Sequence, residues 1–456
     1  MPYLPSHEFF KNELNNNENI TIEDYNHAKK VFNIFHCKQF LDYHLLYLKV
    51  DCLLLCDVFE AHRKLSIEQY ELDPVQYFSS SQYTMDALLR FSQPILHCLP
   101  ELEMYEFLEQ AKRGGICTIS KRYSCANNVF MGCDYDPLKE SIFLLGLDAN
   151  NLYGYAMEQT LPYGDFQWLT VNDKNEKALC NMIMNTKTDA DIGYFVEVDL
   201  KYPSYLHDRD FDYPLCPEKL TIKTDMLSPH NLNLRKKLYD SKRVDSVKLA
   251  PNLYDKSNYV THYENLKFYV KQGIVIVRLH RVLQFRQSKW LADYIKFNTD
   301  QRLKAQSKFA QGFFKLMNNA AYGKLLEDVR KRNTLFVVQS QDKFDDLVCK
   351  PNFKGVTTYT NSMVGIEMMK EVVILNKPIY AGVAVLELSK LHMYKMHKLL
   401  TQKLFQRQNI TLLCTDTDSL LYEIKCTDLY TDLRRIRSVP VSYTHLRAPR
   451  PVMIAY

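Results

Sequence analysis

Hydrophobic and polar positions change period several times along this chain. Over the first hundred residues the apolar positions recur at helical spacing, most plainly from Tyr43 to Phe59. Near Lys112-Arg113-Gly114-Gly115 the texture changes, and β-branched and aromatic residues follow: Ile116, Thr118, Ile119, Tyr123, Val129 and Phe130. Ile142 to Leu147 is an unbroken apolar run, which predicts a strand buried on both faces. Asn172 to Lys271 is rich in Asn, Asp, Lys and Pro, with short strand-like runs such as Phe195 to Leu200. Trp290 to Leu326 predicts a long helical stretch. Strands are expected at Thr334 to Val338 and Tyr380 to Leu388, then a helix at Lys390 to Leu404. The last element runs from Ile410 to Ile424. No internal repeat or low-complexity tract interrupts the pattern.

The chain has 456 residues, which suggests roughly two to four domains. Hydrophobic residues make up 46% and charged residues 24%, so disordered and fibrous classes are excluded for most of the length. The longest apolar runs fall far short of the ~20 residues needed to cross a bilayer. No secretion signal follows Met1, and no membrane partner is expected. Glycine is scarce at 13, and no Gly-rich phosphate loop or dinucleotide fingerprint is present. The 12 cysteines are scattered, without the two-residue spacing of a zinc knuckle. They are expected as buried free thiols of a reduced, intracellular protein, nuclear or cytoplasmic.

A net charge of +5 is small for this length and argues against strong nucleic-acid binding. Its distribution changes that picture. Lys219 to Arg332 holds 24 Lys and Arg against 9 Asp and Glu, a net +15, and the remainder carries −10. A basic middle flanked by acidic segments suits a polyanion channel beside metal-binding carboxylates. A solvated surface would show the same count.

Three segments carry candidate chemistry. In Leu147-Asp148-Ala149-Asn150-Asn151-Leu152-Tyr153-Gly154 an apolar strand ends on a carboxylate. In Leu412-Leu413-Cys414-Thr415-Asp416-Thr417-Asp418-Ser419-Leu420-Leu421 two apolar strands meet at an acidic turn. Asp416 and Asp418 can point the same way there. Like charges so close repel unless a cation compensates, and hard oxygen ligands suit Mg²⁺. The third is a helix from Gln301 to Leu326. On it Lys304, Lys308, Lys315, Asn319 and Tyr322 share an arc of roughly 60° at 100° per residue. Taken singly, each has a plainer reading: a capping or turn Asp, a hydrated hairpin turn, a solvated Lys face. Together they supply what phosphoryl transfer needs: carboxylates for two metal ions, lysines for a triphosphate and a basic cleft for template phosphates.

In order and wording these segments resemble the family B DNA polymerases, most of all the protein-primed branch of phages, adenoviruses, linear plasmids and Polinton/Maverick-type transposons. The first is similar to polymerase motif A, the helix to motif B through Lys315, Asn319, Tyr322 and Gly323, and the Asp-Thr-Asp-Ser turn to motif C. The resemblance implies an α+β right-hand polymerase with a palm of antiparallel strands and helical fingers. A remnant of a ribonuclease H-like 3′–5′ exonuclease would precede it, and the thumb would be missing. It implies Asp148, Asp416 and Asp418 as catalytic residues, with Asp148 and Asp418 binding two Mg²⁺ ions, for which Mn²⁺ can substitute. Tyr153 would lie under the deoxyribose and exclude a 2′-hydroxyl. Lys315, with Lys308 or Lys304, would hold the triphosphate, and Asn319, Tyr322 and Gly323 would line the nascent base pair. Lys390 matches a basic position before motif C that touches DNA phosphate. Gly114 and Gly115 resemble the linker between exonuclease and polymerase modules and would also touch DNA. Motif A carries Asn151 and Gly154 where much of family B has Ser and Pro, and motif B carries Ala320 where Ser is usual.

The implied organisation is an exonuclease remnant over 1–110, palm over 111–170, and an insertion like terminal-protein region 1 over 171–285. Fingers over 286–330, a second insertion like terminal-protein region 2 over 331–372, palm again over 373–433, and a non-native-looking tail over 434–456 follow. The implied activity is template-directed addition of deoxynucleotides to a 3′-hydroxyl, or to a protein hydroxyl, in replication of a virus, linear plasmid or mobile element. The implied partners are template and primer DNA, deoxynucleoside triphosphates and a terminal protein. Tyr47 and Asp51 resemble the third exonuclease motif, but its partner carboxylates have no counterpart, so no exonuclease activity is expected. Val441 to Ala448 reads as translated adapter sequence, which marks the tail as foreign. The competing expectation is an inactive nucleic-acid-binding remnant. An RNA-templated enzyme is disfavoured by Asp-Thr-Asp in place of Tyr-x-Asp-Asp, and a structural protein would not need the aligned lysines.

Overall fold

A computed structural model describes residues 3–12, 18–238 and 246–434. The tail from residue 435 onward, with Val441 to Ala448, lies outside the described residues. Two units are present, one ending at Tyr83 and one beginning at Thr84. Helix Leu102–Ala111 belongs to the second unit, where it buries Met104, Tyr105, Phe107, Leu108 and Ala111.

In the first unit Thr21 caps helix Ile22–Ile34 by accepting from the Asp24 amide at 3.1 Å. Helix Phe40–Tyr70 follows. Asp42 closes its start, accepting from the amides of Lys38 and Gln39, and those bonds hold its carboxyl below the usual carboxylate range. Tyr47 and Asp51, four residues apart, share one exposed face of this helix.

The second unit is α+β, built on antiparallel sheets. One sheet has the order Cys117–Ile119, Ile410–Asp416, Ser419–Lys425, Ile142–Asp148. Another has the order Leu161–Leu169, Val275–Ser288, Ile192–Lys201, Lys256–His262. A single hydrophobic core joins both through Phe143, Leu145, Val196, Val198, Leu412 and Tyr422, with Met393 and Tyr394 from a long helix. A third sheet, Asn333–Val338, Met363–Met369 and Phe353–Thr360, has its own small core around Ile366 and Leu347.

The structure corrects three expected elements. Tyr380 to Leu388 is not a strand but the first half of helix Ile379–Leu399. That helix is buried almost along its whole length, so its apolar residues lie on every side and leave no 3.6-residue period to read. Trp290 to Leu326 is two helices, Ala292–Lys304 and Lys308–Leu325. Ser307 starts the second by accepting from the Ala310 amide at 3.1 Å. The described helices are joined across the break by Asn298, whose amide donates to Asn318 at 2.8 Å. Third, the cysteines are free, but only Cys216 is fully buried. No described helix is long and apolar enough to cross a membrane.

Candidate active site

Register brings three carboxylates to one end of the first sheet. Strand Ile142–Asp148 pairs with Ser419–Lys425 so that Asp148 lies opposite Ser419. Asp416 closes the neighbouring strand, opposite Ser419 on one side and Cys117 on the other. The turn between them is tight. Thr417 has φ +56°, and the Asp418 amide donates back to the Asp416 carbonyl at 2.7 Å. Two flanking bonds pin this tip: Thr417 N–H to the Ile116 carbonyl at 2.9 Å, and Ala149 N–H to the Asp418 carbonyl at 2.8 Å.

Asp418 and Asp416 have different neighbours. Burial raises the Asp418 pKa above the ordinary carboxylate range, the Asp148 charge raises it further, and Asp416 adds a smaller push. Asp416 instead accepts from the Cys117 thiol at 2.9 Å and from the Thr417 hydroxyl at 3.4 Å. None of the three makes an ion pair among the described residues. Nor do three or more His, Cys, Asp or Glu side chains gather closely enough there to form a ready-made metal cage. What the donor set offers is a pair, Asp148 and Asp418, whose mutual repulsion a hard cation would relieve.

After Asp148 the chain turns through Asn151, at φ +56°, into the short helix Leu152–Met157. A Cβ at Gly154 would overlap the Asn151 side chain where it now lies, so a larger residue there requires that side chain to move. The Asn151 and Gly154 departures from the common motif are thus one coupled feature. Tyr153 stacks on Tyr322, with ring centroids 4.2 Å apart and planes 8° from parallel. Burial, first, and then Tyr322 push the Tyr153 hydroxyl pKa up, and the nearby Asp418 charge contributes.

Tyr322 comes from helix Lys308–Leu325, which buries Phe313, Phe314, Met317, Ala321 and Leu325. Its opposite face leaves Lys308, Lys315 and Asn319 exposed. Space is open at Gly323, where a Cβ would meet nothing within 4 Å. Lys304 is not on this stripe. It ends the preceding helix, and the break at 305–307 takes it out of line.

A family model described as DNA polymerase type B, organellar and viral, matches residues 3–402. The chain belongs to that family. Three solved structures are similar to it. Phi29 DNA polymerase in an orthorhombic crystal form has 13% identity and TM-score 0.45, covering 77% of this chain and 49% of that one. The same polymerase complexed with primer-template DNA has 14% identity and TM-score 0.44, covering 77% and 48%. Its ternary complex with primer-template DNA and incoming nucleotide substrates has 15% identity and TM-score 0.43, covering 77% and 49%. The chain spans about half the length of these structures. No curated protein sequence matches it.

Two sequence expectations for this family B chain land differently in space. Gly114 is open on its Cβ side, whereas a Cβ on Gly115 would lie 2.6 Å from the Thr417 side chain. The Gly-Gly segment therefore runs directly against the acidic turn. Lys390 is not a surface cation. It is 4% exposed, and its Nζ donates to the carbonyls of Arg113 and Leu386, each at 2.8 Å. Burial lowers its pKa to about 8, against the pull of Glu387. Arg113, also buried, donates to the Val260 carbonyl and covers the Tyr259 ring at 4.1 Å. Both cations flank the fully buried Glu387, at 3.6 and 3.4 Å. Lys390 thus fixes the backbone just before Gly114 and Gly115. Sequence reading missed Arg113, Glu387, Cys117 and Thr417. Of these only Thr417, between two acids, and Arg113, beside the glycines, carried any local signal.

Proposed function

We propose that this chain is the polymerising part of a template-directed DNA polymerase, extending a 3′-hydroxyl or a protein hydroxyl with deoxynucleotides. The observation that carries this reading is the Asp148–Asp418 pair, uncompensated by any described cation and set beside the Tyr153–Tyr322 stack. The four-stranded sheet bearing the acids serves as palm, and helices Ala292–Lys304 and Lys308–Leu325 serve as fingers.

Asp148 and Asp418 would hold two Mg²⁺ ions, which when bound activate the attacking oxygen and neutralise the leaving group. Asp416, held by Cys117 and Thr417, supports the pair from the side. Lys308 and Lys315 present ammonium groups to the triphosphate and lower the cost of its charge. Asn319, Tyr322 and Gly323 line the nascent base pair, and the open space at Gly323 allows close approach of a flat ring. Tyr153, its ring fixed by Tyr322, sits under the sugar and excludes a 2′-hydroxyl. Arg113, Glu387 and Lys390 hold the Gly-Gly segment against the turn, which restricts how far the carboxylates can move. Template and primer DNA and deoxynucleoside triphosphates are the proposed partners, with a terminal protein as the source of a priming hydroxyl. Tyr47 and Asp51 are a proposed exonuclease remnant without activity.

A second reading, a nucleic-acid-binding chain without catalysis, is favoured by one observation: among the described residues no three metal-ligating side chains converge. Primer extension with Mg²⁺ separates the two. Extension lost in Asp418→Ala supports the polymerase, and DNA binding without extension supports the second reading.

A further inference from the structure

A cavity of about 850 Å³ opens behind the candidate active site, in the range of small-molecule sites. It is bounded by helix Leu152–Met157, helix Tyr263–Lys271 and the end of helix Ile379–Leu399. Tyr153 and Tyr155 lie on one short helix, about 200° apart around its axis. Tyr153 faces Tyr322, and Tyr155 faces this cavity, against His392 with ring centroids 4.1 Å apart.

The lining is strongly cationic. Of its lysines, Lys398 is spent on the buried Asp210, and Lys267 on Glu264 and the Thr186 carbonyl, at 2.8 and 2.6 Å. Among the described residues Glu264 is the only acid in the wall. Lys271, Lys395 and Lys403 make no ion pair among the described residues. Burial depresses the Lys395 pKa; the Glu264 charge opposes this, and the charges of Lys267 and Lys271 add to it, so Lys395 lies within electrostatic reach of both lysines. Between them lie aromatic and apolar side chains: Tyr155, His392, Phe268 and Met396. Unpaired cations beside planar rings are the chemistry that takes phosphate at one end and a base at the other.

We propose that this cavity is a second nucleotide-binding site, separate from the reaction centre, which takes nucleotide phosphates on Lys271, Lys395 and Lys403 and a base against Tyr155 and Phe268. The same chemistry fits a free nucleotide or one nucleotide of a single strand.

Photoaffinity labelling of the full chain without divalent cations tests this, with 8-azido-dATP in one arm and a short oligonucleotide carrying 8-azidoadenine in the other. Adducts are mapped by mass spectrometry. The expected result is labelling at Tyr155, Phe268 or His392 that falls about tenfold in K271Q/K395Q/K403Q, with the melting temperature unchanged. Whichever arm labels identifies the source. The proposal is overturned if neither probe labels these residues, or if labelling there is the same in the triple variant. Single variants K395Q and K403Q keep the test valid should the triple variant fold poorly. Adducts confined to helix Lys308–Leu325 would leave the polymerase reading intact and sink only this one.

Discussion

Tyr153 and Tyr322 stack face to face at 4.2 Å, although one follows the acid at the end of a strand and the other lies near the end of a helix more than 150 residues later. The stack joins the sheet that carries the acids to the helix that carries the lysines. Such ring pairs contribute about 0.5–1.5 kcal/mol beyond their buried area. Tyr322→Phe keeps the stack and is expected to cost about 1 kcal/mol or less. On the proposed reading Tyr153 lies beneath the sugar, and Tyr153→Val removes that ring. Its ratio of deoxyribonucleotide to ribonucleotide incorporation is expected to fall about tenfold or more, read by competitive primer extension.

Gly115 and Thr417 define a second contact. A Cβ at residue 115 would lie 2.6 Å from Thr417, so Gly115→Ala must move the acidic turn. Overpacking of this kind costs about 1–3 kcal/mol. Thr417→Gly in the same chain removes the clash and suits the positive φ. Thermal unfolding should show Gly115→Ala lowered and the double variant largely restored. An additive double variant would mean the two residues do not touch.

The carboxylate pair makes a prediction about metal. Without divalent cations Asp418→Asn relieves repulsion from Asp148 and should raise the melting temperature by roughly 2 °C. Mg²⁺ should stabilise the wild type by mass action and leave Asp418→Asn unchanged. Scanning calorimetry with and without Mg²⁺ measures both.

His262 sets an acid limit. Its ring is buried and accepts from the Glu264 amide through Nδ1, so it must be neutral to cap helix Tyr263–Lys271. Burial lowers its pKa from 6.5 to about 4. Between those values the unfolded chain binds the extra proton, so stability falls as pH drops from 6.5 through 4. In His262→Asn, which keeps an acceptor without titrating, the loss over that window should be shallower by denaturant titration.

The acids were legible because Asp148 and Asp416 each end an apolar strand and Asp418 lies in the turn after one, a pattern local enough to read from a few residues. Their pairing was not, since the register that sets Asp148 opposite Ser419 joins segments far apart in sequence. The helical stripe was legible at Lys308, Lys315 and Asn319, but Lys304 was misplaced because neither Gly nor Pro marks the break before Ser307. Helix Ile379–Leu399 was half read as a strand, since burial on all sides erases the helical period. The resemblance gave Lys390 a DNA phosphate to touch, whereas the fold buries it. Its partner Glu387 stands three residues earlier, but the Arg113 carbonyl that accepts from it arrives only through the fold. Arg113 and Glu387 show how a polar core can be invisible to pattern reading.

The most direct measurement of the central claim is primer extension on a defined template with Mg²⁺, comparing wild type with Asp148→Asn and Asp418→Asn. The account predicts template-matched extension by wild type and at least a hundredfold loss, about 2.7 kcal/mol, in each variant, with DNA binding retained. Extension undiminished in either variant, or none by a folded, DNA-binding wild type, would contradict it.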